Sequence, residues 1–194
     1  MIKIGITGGI GSGKSIVSEI FHLYGVPLYN ADQEAKKLND TSPFIRAQLT
    51  LQFGEDLYVG GRLDRKKLAS IIFHDDQKLS IVNSIIHPQL ALHFTEWCRK
   101  REHYPVVILD AALLIEAGFN QFVNEVIIVQ APKELRISRV MQRDGVSRSE
   151  VEARMNSQLP EEVKLRYANH VITNDNIHSL IRQVSELMIR VTES

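Results

Sequence analysis

The sequence predicts an α/β fold, in which five parallel strands form a sheet covered by helices on both faces. Three observations predict it. Short apolar runs at residues 2–7, 26–29, 105–110, 125–129 and 171–173 alternate with stretches of helical periodicity. A glycine-rich loop joins the first run to the first helical stripe. Residues 33–85 carry helical patterns with no buried strand, and arginine-rich helical stretches follow the fourth run, so both lie outside the sheet core.

The first strand, Ile2-Lys3-Ile4-Gly5-Ile6-Thr7, runs into Gly8-Gly9-Ile10-Gly11-Ser12-Gly13-Lys14-Ser15. Ile16, Val17, Ile20 and Leu23 then mark one face of a helix, and Gly25 is placed to end it. Val26 to Tyr29 reads as the second strand, with Asn30 and Asp32 at its C-terminal end, the edge of an open parallel sheet where ligands bind. In the insertion, Ser42-Pro43 opens a helix that Gly54 closes, 58–61 is a turn or small hairpin, and Asp64 caps the next helix. His87-Pro88 is read as the start of a further helix. The run to Asp110 is β-branched and ends in an acid, as a strand buried on both faces does. After the fourth strand, Pro132 to Asp144 is a helix closed by Gly145. Ser147 and Glu150 have capping-box spacing, and Pro160 opens one more helix. Ile177 to Val191 is a terminal amphipathic helix.

The loop from Gly8 to Ser15 fits Gly, four residues, Gly-Lys-Ser/Thr, the phosphate-binding P-loop, in its required context of strand, loop and helix. Wrapping a phosphate takes several converging backbone N–H groups, and glycine reaches the conformations that converge them. The helix that follows adds its unpaired N-terminal N–H groups and its dipole. Gly9, Ile10, Gly11, Ser12 and Gly13 are therefore expected around the phosphates of a nucleoside triphosphate, with the Lys14 ammonium on the β- and γ-phosphates and the Ser15 hydroxyl on Mg²⁺.

Composition bounds the rest. The chain has 194 residues, enough for one domain or a core with insertions. Its 23 basic and 23 acidic residues cancel, which argues against a nucleic-acid binder that relies on bulk charge. The single Cys98 cannot close an intrachain disulfide, so a reducing, cytoplasmic setting is expected. No apolar run is long enough to span a membrane, and the expected partners are small molecules, with no nucleic acid, membrane or obligate protein partner.

Asp110, at a strand end, is a candidate to support Mg²⁺ directly or through water, or a plain strand-end cap. Asp32 is placed to orient an acceptor hydroxyl and take its proton, or to cap the helix after it. Arg136, Arg139 and Arg143 share a helix face that could close over a transferring phosphoryl, or be solvated. Lys36, Lys37, Arg65, Lys66 and Lys67 could meet an anionic acceptor or face solvent. His87 is a cap, a core histidine or a substrate contact.

The whole pattern resembles the dephospho-CoA kinases. The likeness lies in Ile4 to Ser15, in Gly25-Val26-Pro27 through Ala31-Asp32, in Ile86-His87-Pro88, and in Leu113-Leu114-Ile115-Glu116. It continues in Arg139, Arg143-Asp144-Gly145, Gln158, Lys164 and 168–174. The resemblance implies a P-loop core (1–32, 86–135 and 169–194), a helical acceptor-binding insertion (33–85) and a helical lid (136–168). It implies ATP and dephospho-CoA as substrates with Mg²⁺ as cofactor, and phosphoryl transfer to the ribose 3′-hydroxyl. Asp32 would be the catalytic carboxylate, working with Lys14 and the lid arginine Arg139. Arg143 would be a second arginine on ATP, Asn174 would lie near the adenine, and His87 and Leu114 would meet the acceptor. Asn30, Ile16, Ala111-Ala112 and Asn169 depart from the family's usual residues. Another small-molecule kinase, such as one for nucleosides or their monophosphates, shares the core. A guanine-reading switch would need a lysine that Thr173-Asn174-Asp175 lacks.

Overall fold

The apolar run that opens the chain forms β1 (Ile2–Gly8), the middle strand of a five-stranded sheet in the order β2-β5-β1-β6-β7. The other strands are β2 (Leu28–Asn30), β5 (Val106–Asp110), β6 (Glu125–Gln130) and β7 (His170–Thr173). All four pairings are parallel. This is a computed structural model that describes residues 1–73 and 75–193, without the side chains of 192 and 193.

Two compact units divide the chain: residues 1–30 with 101–194, and residues 31–100. The first holds the sheet. α1 (Lys14–Leu23) and α9 (Leu180–Glu193) pack on it, with Val17 and Phe21 from α1 and Val184, Leu187 and Val191 from α9 joining Ile4, Ile6, Ile108, Ile127 and Val129 in one core. Every residue of β5 is buried, so this strand is covered on both faces, as its unbroken apolar run requires. α9 begins at Leu180, later than the apolar spacing suggests, and Ile177 lies exposed in the loop before it.

α6 (Lys133–Asp144), α7 (Arg148–Asn156) and α8 (Glu161–Leu165) follow β6. Gly145 ends α6 in a left-handed conformation at φ 66°, and Ser147 with Glu150 forms the expected capping box on α7. Ile137, Val140 and Val151 join these helices in a small core that Ile10 of the phosphate loop also touches.

The second unit is built from α2 (Ala31–Thr41), α3 (Pro43–Phe53), a hairpin of β3 (Tyr58–Val59) and β4 (Arg62–Leu63), α4 (Arg65–Ile72) and α5 (Asp76–Arg99). The predicted caps form: Ser42 Oγ accepts from the Ile45 N–H, and Asp64 accepts from the Lys67 N–H. This unit is wider than the 33–85 segment expected of the insertion, and α5 shows why. It runs unbroken through His87-Pro88, where the sequence suggested a new start, with Pro88 inside it. A proline within a helix removes one hydrogen bond of the ladder. Here Val82, Ile86, Leu90, Ala91 and Phe94 keep a buried stripe on both sides of it.

Ile45, Leu49, Leu57, Leu63, Leu68, Val82 and Ile86 form the second unit's core. Leu49 has no exposed surface. Leu49→Ala should cost about 2–5 kcal/mol of stability, read by urea denaturation, because the cavity relaxes only in part. A loss below about 1 kcal/mol would mean that the site collapses around the smaller side chain. No helix among the described residues is long and apolar enough to cross a membrane.

Candidate active site

Three neighbouring strands end at one edge of the sheet, with β1 running two residues past the other two. Gly8 closes β1, Asn30 closes β2, and Asp110 closes β5 in register with both Asn30 and Ile6. The phosphate loop springs from this edge. Gly11 and Gly13 sit at φ 79° and 87°, the left-handed region that L side chains rarely adopt. Neighbours exclude a side chain as well. A Cβ on Gly11 would stand 2.5 Å from the Arg136 carbonyl oxygen, and one on Gly13 would stand 2.0 Å from Asn174 Nδ2. Gly13 is the residue before the first turn of α1, so Lys14 and Ser15 open the helix. The N–H groups of that turn and the positive end of the dipole face the loop, as an anion site needs.

Ser15 is exposed, and the Lys14 ammonium is ion-paired with Asp110, which is 2% exposed. The strand-end carboxylate therefore holds the loop's cation instead of capping a helix. Thr7, at the end of β1, donates its hydroxyl to the Ala112 carbonyl at 3.1 Å and fixes the turn after Asp110.

Asn174 is buried just past β7 and holds three pieces together. Its N–H donates to Gln130 at 2.8 Å, and its Nδ2 donates to the Ser12 carbonyl at 2.8 Å. Arg139 donates to its carbonyl at 3.1 Å and to its Oδ1 at 3.2 Å, and also to Asn176 Oδ1 at 2.7 Å. The loop after β7 is thus laced to the phosphate loop and to α6 at once. The amide of Asn174 is engaged in that scaffold.

The three arginines expected to share one purpose separate. Arg139 reaches the loop after β7. Arg136 is buried, donating through Nε to the Ile10 carbonyl at 3.0 Å and through Nη1 to Glu161 at 2.6 Å. Arg143 turns to Asp144 at 2.7 Å, which raises its already high pKa, and stays largely exposed. The Ile10 N–H, expected among the phosphate donors, is given to Gln158 Oε1 at 2.8 Å.

Leu114 corrects an expectation. It is fully buried, and its carbonyl accepts from the Phe119 and Asn120 N–H groups, so its side chain offers no surface to an acceptor. Its neighbour Leu113 is the exposed one. The local run Leu-Leu-Ile could not show which of the two leucines turns inward.

In the second unit, Asp32 is exposed in the first turn of α2, two residues past the end of β2, where the sequence had put it at the strand end. His87 lies in the middle of α5, where burial lowers its pKa below the usual histidine value. Among the insertion's cations, Lys37 pairs with Glu34, Arg65 with Asp40 and Lys67 with Asp56.

Among the described residues, no group of three His, Cys, Asp or Glu side chains could hold a metal by itself. The oxygens of Ser15 and Asp110 have the right chemistry for Mg²⁺, which takes most of its ligands from water and substrate phosphates.

A sequence model of the dephospho-CoA kinase family matches residues 2–179. The chain belongs to the dephospho-CoA kinase family. Its activity is that of a dephospho-CoA kinase, on a phosphate-loop kinase fold. A dephospho-CoA kinase of Bacteroides fragilis is 43% identical over 96% of this chain and 91% of its own length. Among solved structures, a Thermus thermophilus protein is 35% identical with a TM-score of 0.86, covering 97% of this chain and 96% of its own. The dephospho-CoA kinase from Campylobacter jejuni is 26% identical with a TM-score of 0.72, covering 98% of this chain and 97% of its own. One departure from the dephospho-CoA kinase pattern has a visible use. Asn169 donates its N–H to the Val126 carbonyl and accepts the Val126 N–H on Oδ1, both at 2.9 Å, which pins the start of β7 to β6.

Proposed function

We propose that the chain transfers the γ-phosphoryl of ATP to the ribose 3′-hydroxyl of dephospho-CoA, giving coenzyme A and ADP, with the roles divided as follows. The observation that carries this reading is the complete phosphate loop, opened by left-handed glycines onto the start of α1, with Lys14 held at its mouth by Asp110. The loop amides and Lys14 hold the β- and γ-phosphates. Ser15 would hold Mg²⁺, with Asp110 supporting it directly or through water. When bound, the metal neutralises charge on the phosphate oxygens. Asp32 orients the 3′-hydroxyl and takes its proton as the new O–P bond forms and the bond to the ADP oxygen breaks.

Arg139 has a fixed place beside Asn174 and Asn176, while Arg136 is taken up by the Ile10 carbonyl and Glu161, and we assign Arg139 to the phosphates on that basis. Arg143, drawn to Asp144, has to leave that pair to reach ATP. Residues 33–85 are the acceptor-binding part, with His87 beyond their end, and 136–168 the lid. The setting is the cytoplasm, where the buried, unbridged Cys98 stays reduced.

The test is an ADP-release assay across a panel of acceptors. Dephospho-CoA should give the highest kcat/KM, well above nucleosides and nucleoside monophosphates. ADP release that does not depend on the acceptor, or that favours a nucleoside, would contradict the reading.

A further inference from the structure

Ile10, in the phosphate loop, has both polar groups of its main chain tied by side chains from far along the sequence. Its N–H goes to Gln158 and its carbonyl receives Arg136, partners 148 and 126 residues away. These two belong to a closed ring of contacts. Arg136 pairs with Glu161 at 2.6 Å. One helical turn further along α8, Lys164 pairs with Glu116 at 2.8 Å, a contact of charge rather than of hydrogen-bond angles. Glu116 Oε1 in turn accepts the N–H of Leu159, the residue after Gln158, at 3.2 Å. Arg136 is 6% exposed and Lys164 1% exposed, so both charges are withdrawn from water and depend on these partners. The Ile10 side chain adds an apolar contact, against Ile137, Val140 and Val151.

An N–H already given to a glutamine does not also aim at a phosphate. At Ile10 the loop's backbone therefore serves anchorage. The neighbouring amides take their direction from that anchored peptide, and a misplacement of about 1 Å in such a group can cost about 10²-fold in rate. Arg136 is also poorly suited to closing on a phosphoryl group, since its guanidinium already serves a carbonyl and a carboxylate at once.

We infer that Arg136 and Gln158 are positioning residues for the nucleotide's phosphates: they clamp the Ile10 peptide and so aim the loop, while the Glu116–Lys164 pair holds the segment that carries Gln158. This rests on reading Gly8 to Ser15 as the nucleotide loop. Titration of the unsubstituted protein with ADP alone checks that reading separately, whatever the acceptor.

The experiment compares Arg136→Lys, Gln158→Met and the double variant by ADP titration, by steady-state kinetics in ATP and in dephospho-CoA, and by thermal melting. Arg136→Lys keeps the charge and loses the planar fork. It should raise the ADP Kd and the KM for ATP by about tenfold, the scale of a lost charge-assisted hydrogen bond. Gln158→Met should raise both by about fivefold, as a neutral bond does. The double variant should fall short of the product of the two, because both act on one peptide. The KM for dephospho-CoA should not move. Two results would overturn the inference. One is a fall in kcat for Arg136→Lys at unchanged KM for ATP and unchanged ADP Kd, which would put the guanidinium on the transferring phosphoryl. The other is a lower melting temperature with nucleotide affinity unchanged in all variants, which would make the ring purely structural.

Discussion

Lys14→Met should lower kcat by about 10²–10³-fold, the effect of deleting a group aimed at charge that develops in the transition state. The neutral chain keeps most of the length of lysine and loses the ammonium. A second effect comes with it. Asp110 is 2% exposed and faces Lys14, so the substitution strands a carboxylate in a buried place. Breaking a buried pair from one side typically costs about 3–5 kcal/mol. The melting temperature should therefore fall along with the rate. Adding Asp110→Asn separates the two effects: the double variant should regain most of the stability and none of the activity. If Lys14→Met turned over at near the original rate, the loop would not be the phosphate site.

Asp32→Ala should lower turnover by about 10²-fold or more, the usual worth of a positioned general base. Asp32→Asn should do nearly the same, since an amide keeps the size and cannot take the proton. Nucleotide affinity should be unchanged in both, because the phosphates are assigned to the loop amides and Lys14. Stability should also hold, because Asp32 is exposed in the first turn of α2. A small loss is expected there from the helix dipole, which an acid in the first turn favours by about 0.3–1 kcal/mol. Near-normal kcat in either variant would remove Asp32 from the chemistry and leave it as a helix-start acid.

Much of the donor site could be read from the sequence because its signals are local. The glycines from Gly8 to Gly13, Lys14 and Ser15 are contiguous. The strand before them and the helix after them carry periodicities of 2 and 3.6 that nothing else in those windows imitates. The same locality made the caps at Ser42, Asp64, Gly145 and Ser147 legible, since each is a contact within a few residues.

What the sequence hid is non-local or set by packing. Gln158 and Glu161 gave no sign of reaching the phosphate loop, because their contacts to Ile10 and Arg136 depend on how α6 and α8 fold back. The spacing of Arg136, Arg139 and Arg143 correctly put them on one helix and said nothing about the three different partners they take. Leu114 and Leu113 differ by one residue in a short irregular turn, where no period assigns a face. Pro88 marked a helix start by local rule, and the buried stripe from Val82 to Phe94 overrode it. Asn174 was placed by resemblance near a base, and no local signal showed that its amide bridges Ser12 and Arg139.

The claim that all of this serves is regiochemical: a phosphoryl group goes from ATP to one hydroxyl of dephospho-CoA. The direct measurement is the product of a single incubation with ATP, Mg²⁺ and dephospho-CoA, analysed by mass and then treated with a 3′-specific nucleotidase. The product should be heavier by one phosphoryl group, be made in equal amount with ADP, and be returned to dephospho-CoA by the nucleotidase. A product of the same mass that resists the nucleotidase, or ADP formed with the acceptor unchanged, would contradict that claim.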